Sequence, residues 1–149
     1  MLVLAIDSSS STATCALVSE KGVLGEINLN DKKQHSVFLM EKIEMLLNDC
    51  QIDISEVDGF VVSKGPGSFT GLRIGMATVK GLSFGSKKPS VCVSSLDALA
   101  YNISGFNGII CPIIDALRGN VYASLYKKEG DELVSLSEKE CISLTDLIE

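Results

Sequence analysis

An acid at the end of an apolar segment, followed by a run of hydroxyl residues, is the first feature of the sequence that could do chemistry. Asp7 ends the apolar segment "LVLAI", and Ser8 to Ser11 follow it. In a duplicated ATPase such a turn offers backbone N–H groups to phosphates and places the acid near a metal ion. Close approach to phosphate favours glycine, which this turn lacks, so a polar β-turn is the alternative. The candidate nucleotide-binding residues are Asp7, Ser9 and Ser10.

A second acid with a nearby guanidinium occurs in the segment "DALRG", which contains Asp115 and Arg118. The two side chains could pair across the tight turn, or they could face a ligand in a cleft between two units, where ATP or ADP would be shared with a partner. Ordinary turn chemistry is the alternative, because Asp and Gly are both typical turn residues. We add Asp115 and Arg118 to the candidate nucleotide-binding residues.

Residues 63–75 read "SKGPGSFTGLRIG" and raise the question of a phosphate loop. A Walker loop requires a lysine directly after its second glycine. Here Leu72 follows Gly71, and Lys64 precedes the glycines. The Walker interpretation therefore fails, although the N-terminus of a helix can still attract an anion.

Small residues continue down the predicted helix that follows this loop. Their spacings are 4, 3, 3 and 4, so at about 100° per residue they form one stripe roughly 120° wide. The stripe consists of Gly71, Gly75, Thr78, Gly81 and Gly85. Glycine costs about 1 kcal/mol relative to alanine inside a helix, which favours a packing role such as close approach of a partner helix. The alternative is that Gly71 and Gly85 only mark the helix ends.

Residues 36–50 show the spacing of another amphipathic helix. Its predicted core side consists of Leu39, Met40, Ile43, Leu46, Leu47 and Cys50. On the opposite side, Phe38 and Met45 lie among Glu41, Lys42 and Asp49. Large apolar residues on a polar face indicate a partner site. Together the two helices predict a surface that accepts two helices from another subunit.

Composition limits the classes of function. The net charge is −6, from 13 Lys and Arg against 19 Asp and Glu. This acidic balance argues against a chain that binds nucleic acid by itself, because neutralising phosphates requires a basic surface. Five widely spaced cysteines and a single histidine, His35, favour reduced, mostly buried thiols and no metal site. No segment resembles a signal peptide or a membrane span, so we expect a cytoplasmic protein.

The order of elements predicts an α/β fold, β-β-β-α-β-α-β-α, with helices packed on a mixed sheet. A shift of 108 positions places Ile6, Asp7 and Gly22 on Ile114, Asp115 and Gly130 without a gap. This repeat indicates a duplicated fold, with a first unit at residues 1–105 and the start of a second at 106–149. We expect the second unit to be incomplete, because it stops where its long helix should begin.

Four segments in this order and spacing closely resemble the bacterial TsaB (YeaZ) family. They are "AIDSSSSTATCALV", "HSVFLMEKIEMLL", "SKGPGSFTGLRIGMATVKGLSFG" and "PIIDALRGNVYASLY". The resemblance implies an actin-like ATPase fold with two RNase H-like units. His35 matches the first position of the HxxxH metal-binding pattern of the paralogous enzyme TsaD, but Leu39 stands at the second. The resemblance therefore implies no catalytic site and no metal in this chain.

The same resemblance implies partners. TsaB proteins pair with TsaD, and with the ATPase TsaE, to modify the adenosine next to the anticodon of tRNA with a threonylcarbamoyl group. The helix surfaces described above would then contact TsaD or a second copy, and tRNA would be bound only through the complex. Two alternatives remain open: an ATPase or kinase-like enzyme using Asp7 and Asp115, and a zinc metallopeptidase.

Overall fold

The computed structural model describes residues 1–30, 35–103, 106–130 and 132–148. The chain forms two compact units, Met1–Val93 and Ser94–Glu149. This boundary precedes the one predicted at residue 105. The difference arises because helix α3, Ser95–Tyr101, packs through Leu96 and Ala100 against Ile110 and Tyr126 of the strands that follow it.

The first unit is a five-stranded mixed sheet with two long helices. Its elements are β1 (Leu2–Asp7), β2 (Ala13–Ser19), β3 (Gly22–Leu29), α1 (His35–Asp49), a 3-10 turn (Ile54–Glu56), β4 (Gly59–Ser63), α2 (Phe69–Ser86) and β5 (Ser90–Val93). The strand order is β3-β2-β1-β4-β5. The first three strands are antiparallel, and β1, β4 and β5 are parallel. The predicted mixed sheet with packed helices is confirmed.

Alternation along the strands places the core of the first unit on one face of the sheet. Leu4 and Ile6 of β1 lie beside Leu17 and Cys15 of β2, and α1 and α2 cover them and contact each other. The buried core consists of Leu4, Ile6, Cys15, Leu17, Leu39, Ile43, Leu46, Val57, Phe60, Val62 and Val79. Met40, predicted on the core side of α1, is 51% exposed, because it lies at the edge of the stripe centred on Leu39 and Ile43.

The second unit repeats the opening hairpin of the first. Its elements are α3, β6 (Ile109–Ile110), β7 (Ile113–Leu117), β8 (Asn120–Ala123), β9 (Tyr126–Glu129), β10 (Glu132–Ser135), β11 (Glu140–Ser143) and α4 (Leu144–Ile148). Strands β6 and β7 pair antiparallel with β9 and β8 in one continued register, Ile110 opposite Tyr126 and Ile113 opposite Ala123. Pro112, which has no N–H to donate, lies in the interruption. Asp115 thus occupies the place in this hairpin that Asp7 has in the first.

The cysteines differ from the prediction of mostly buried thiols. All are free, and Cys15 is buried and Cys50 half-buried, whereas Cys92, Cys111 and Cys141 are exposed. Cys92 and Cys141 lie on β5 and β11, which are edge strands of their sheets and are therefore less covered.

Among the described helices, none has the length and apolar character needed to cross a membrane.

Candidate functional site

The turn after β1 packs closely against the first turns of α2. Ser8 is 1% exposed, and its hydroxyl donates a 2.7 Å hydrogen bond to the carbonyl oxygen of Gly71. A Cβ at Gly71 would overlap the Ser8 carbonyl oxygen, and one at Gly75 would overlap the Ser8 hydroxyl. Both glycines are therefore required by packing inside the first unit. This corrects the prediction that Gly71 and Gly75 face a partner.

The loop that precedes α2 rests on the same turn. A Cβ at Gly67 would overlap the Ser9 carbonyl oxygen, and the Ser68 N–H donates to that oxygen at 2.6 Å. The Ser68 hydroxyl caps α2 by accepting from the Gly71 N–H at 3.3 Å. The start of α2 therefore meets carbonyl oxygens of its own chain. The segment "GPGSFTG" therefore packs the start of α2 closely against the turn after β1.

The candidate nucleotide-binding residues of the first unit make the contacts of a polar turn. The Asp7 carboxylate accepts from the Ser9 N–H at 2.7 Å, and the Ser10 hydroxyl accepts from the Thr12 N–H at 3.1 Å. These are two of the backbone donors that a phosphate would need. Hydrogen bonds within the turn therefore account for the conformations of Asp7, Ser9 and Ser10 in this structure.

The second unit shows the same arrangement at Asp115. Its carboxylate accepts from the Leu117 N–H at 2.8 Å, two positions on, just as Asp7 does from Ser9. Leu117, Arg118 and Gly119 have positive φ angles of 67°, 56° and 79°, so the hairpin turns tightly there. Asp115 and Arg118 are both exposed, and the ion pairs of the described residues do not include one between them.

The far half of α2 is open, in contrast to its first turns. Apart from the adjoining atoms of α2 itself, no atom of the described residues lies within 4 Å of the Cβ positions of Gly81 or Gly85, and both glycines are exposed. At about 100° per residue, Gly71 and Gly75 fall on the side of buried Val79, while Gly81 and Gly85 fall on the opposite edge. The predicted stripe therefore runs from the core to the surface of the unit. Thr78 lies between the two halves and is half-buried.

Two phenylalanines on the exposed side of α2 were missed by the sequence interpretation. Phe84 is 89% exposed and Phe69 is 69% exposed. The guanidinium of Arg73 lies 3.9 Å from the centre of the Phe69 ring, a cation–π contact. At about 100° per residue, Phe84 falls on the side of α2 away from the core residue Val79, and this spacing was the available signal for Phe84.

The exposed side of α1 combines apolar and charged groups. Met45 is 48% exposed and Phe38 is half-buried. The Lys42 ammonium lies 3.9 Å from the Met45 sulfur and 3.7 Å from the Glu41 carboxylate. The His35 side chain lies outside the described part of the chain. Within that part, no group of three or more His, Cys, Asp or Glu side chains is placed to hold a metal ion.

The fold is that of the actin-like ATPases with RNase H-like units: a mixed sheet in the order β3-β2-β1-β4-β5, helices packed on it, and a second copy of its opening hairpin. The sequence model of the family described as "TsaD: tRNA N6-adenosine threonylcarbamoyltransferase" matches residues 20–149. The structure of YeaZ from Pseudomonas aeruginosa matches with a TM-score of 0.84 and 28% identity, covering 95% of this chain and 67% of that one.

Two relatives named "tRNA threonylcarbamoyladenosine biosynthesis protein TsaB" match almost the whole chain. The Bacillus subtilis (strain 168) protein is 42% identical over 149 residues, which are 100% of this chain and 65% of the relative. The Escherichia coli (strain K12) protein is 27% identical over 150 residues, 99% of this chain and 64% of the relative. The chain therefore belongs to the TsaB (YeaZ) proteins within the TsaD family. It spans slightly less than two thirds of these relatives.

Proposed function

We propose that the chain acts in tRNA threonylcarbamoyladenosine biosynthesis in the cytoplasm, as a non-catalytic partner of a TsaD-like catalytic subunit. The observation that carries the proposal is the 42% identity to a protein named for that pathway over the full length of this chain. A TsaE-like ATPase would join the same complex, and tRNA would be held by the complex as a whole.

The contacts of the two candidate nucleotide-binding acids support the non-catalytic part of the proposal. The carboxylates of Asp7 and Asp115 each accept a hydrogen bond from the backbone N–H two residues further on, so both stabilise the turns in which they lie. Any ATP or ADP would lie at an interface shared with a partner and draw groups from both chains.

The surface that we assign to the TsaD-like subunit is the exposed side of α1 and α2, called here the two-helix face. Its proposed contact residues are Phe38, Met45, Thr78, Gly81, Phe84 and Gly85. Exposed apolar side chains beside two open glycines give a partner helix both anchors and room for close approach. Gly71 and Gly75 contribute only indirectly, because they hold α2 against the turn at Ser8.

The test is association of the 149-residue chain with the TsaD-like subunit, measured by calorimetry, together with tRNA modification by the reconstituted complex. Gly81→Leu and Met45→Glu should each weaken association by about tenfold or more, since both alter the centre of an apolar contact. Met40→Glu is the matched control on the other flank of α1, because Met40 is 51% exposed and Met45 is 48% exposed. It should bind like the unchanged chain.

Normal association of both variants would refute the assigned surface. Micromolar binding of ATP by the chain alone, lost in Asp7→Asn, would instead support the alternative of a nucleotide-binding enzyme. A homodimer dissociated by the same two variants would show that a second copy uses the same face.

A further inference from the structure

Charge is sharply divided along the part of the chain that contains α1, α2 and the segments that flank them. Residues 41–58 contain six acids and one base, and residues 59–96 contain five bases and no acid. The whole chain has a net charge of −6, so a stretch of this length without an acid is a departure from its composition.

The fold places the two kinds of charge on neighbouring helices. Helices α1 and α2 contact each other and pack on the same face of the sheet. Glu41, Glu44 and Asp49 are exposed on α1. Arg73 and Lys80 are exposed on α2, and exposed Lys87 is its C-terminal cap.

Among the described residues, these charged side chains do not form ion pairs between the two helices. In the described part of the chain, the ion pair recorded on α1 joins Lys42 to Glu41 of the same helix, at 3.7 Å. Arg73 contacts the Phe69 ring. The acidic half and the basic half of the face therefore both remain directed to solvent.

An aromatic residue stands within the basic half. Phe84 is 89% exposed and lies one turn from Gly81, whose Cβ position is open. A large exposed ring beside an open glycine can serve as an anchor that enters a pocket on a partner protein. The acids on α1 would repel a polyanion that followed the bases of α2, so nucleic acid is the less favoured occupant.

We propose that the two-helix face binds a protein surface with the reverse charge division. An acidic element of that partner lies on α2, a basic element lies on α1, and Phe84 inserts into an apolar pocket beside the acidic element. The inference rests on the proposed function, since it gives the chemistry of the partner at the same face. Opposed charges of this kind set the register of the two proteins and accelerate their encounter.

The experiment measures association rates between the chain and the TsaD-like subunit at low and high salt. Lys80→Glu and Asp49→Lys should each slow association by about tenfold at low ionic strength, and the difference should fall to within about twofold near 0.5 M salt. Lys21→Glu is the control for Lys80→Glu, because it makes the same change in net charge at an exposed turn between β2 and β3. Phe84→Ala should weaken binding by about tenfold at every salt concentration, as an apolar anchor does.

Three results would overturn the inference, and they are distinguishable. If the unchanged chain binds the subunit but the Lys80 and Asp49 variants associate as fast as Lys21→Glu, the charge division has no role and the proposed function still stands. If the unchanged chain does not bind the subunit at all, both proposals fail. If the chain alone binds tRNA and Lys80→Glu abolishes that binding, the face serves nucleic acid.

Discussion

The Ser8 hydroxyl and the Gly71 carbonyl oxygen are joined by a 2.7 Å hydrogen bond across 63 positions of sequence. The bond ties the turn after β1 to the beginning of α2. It also explains the absence of side chains at Gly71 and Gly75, because a Cβ at either position would overlap Ser8. A polar residue buried in this way is stable because its hydroxyl has a partner.

This contact predicts opposite effects for two glycine-to-alanine changes in one helix. Helix propensity favours alanine by about 1 kcal/mol at both sites. At Gly71 the new Cβ meets a backbone oxygen that cannot rotate away, so we expect Gly71→Ala to destabilise the first unit by about 1–3 kcal/mol. At Gly81 the space is open, so Gly81→Ala should stabilise the unit by about 0.5–1 kcal/mol.

Native-state hydrogen exchange of the β1 and α2 amides measures these effects in the first unit separately from the second. Equal protection of the two variants would contradict the packing of Ser8 on α2.

The second unit offers a pH-dependent prediction at Tyr126. Its hydroxyl donates to the Asp97 carboxylate at 2.6 Å, and Lys139 donates to the same carboxylate at 2.8 Å. Burial, aided by the bond to Asp97, raises the pKa of Tyr126 from 10.0 to about 12. The folded state therefore holds the proton more tightly than the unfolded state. The stabilisation is complete below about pH 10 and is lost as the pH rises through about 12.

Tyr126→Phe should lower the free energy of unfolding by about 1 kcal/mol at neutral pH, because the hydrogen bond to Asp97 is lost. The variant should not show the loss of stability at alkaline pH that Tyr126 causes. Phenolate absorbance of the folded chain, compared between the variant and the unchanged chain, assigns the titration. A Tyr126 phenolate that forms near pH 10 in the folded chain would be inconsistent with the buried contact.

Thiol labelling of the folded chain should separate the cysteines by burial. Burial raises the pKa of the Cys15 thiol to about 11, and the thiolate is the reactive form. Cys92, Cys111 and Cys141 are exposed and should react first, while Cys15 should react only when the chain unfolds. Mass spectrometry of partially labelled chain identifies each site. Labelling of Cys15 in the native state as fast as Cys92 would contradict its place in the core.

The sequence by itself determined the class of the fold. The apolar alternation of the first strands and the spacing of α1 are local patterns of residue type. The repeat at 108 positions appears when two segments of the sequence are compared. The mixed sheet, the two helices on it and the second hairpin follow from those patterns. The four segments that carry the family resemblance, in their order and spacing, were likewise sufficient to place the chain in its family.

The tertiary structure alone decided which half of the glycine stripe is buried. A stripe about 120° wide covers both the edge of a helix that faces a sheet and the edge that faces solvent. Periodicity cannot distinguish these edges, because the deciding contact comes from Ser8, which is distant in sequence from Gly71. The same limit applies to Met40 on α1 and to the edge-strand cysteines, whose exposure depends on neighbouring elements. Local pattern specifies elements, and burial is a property of how those elements meet.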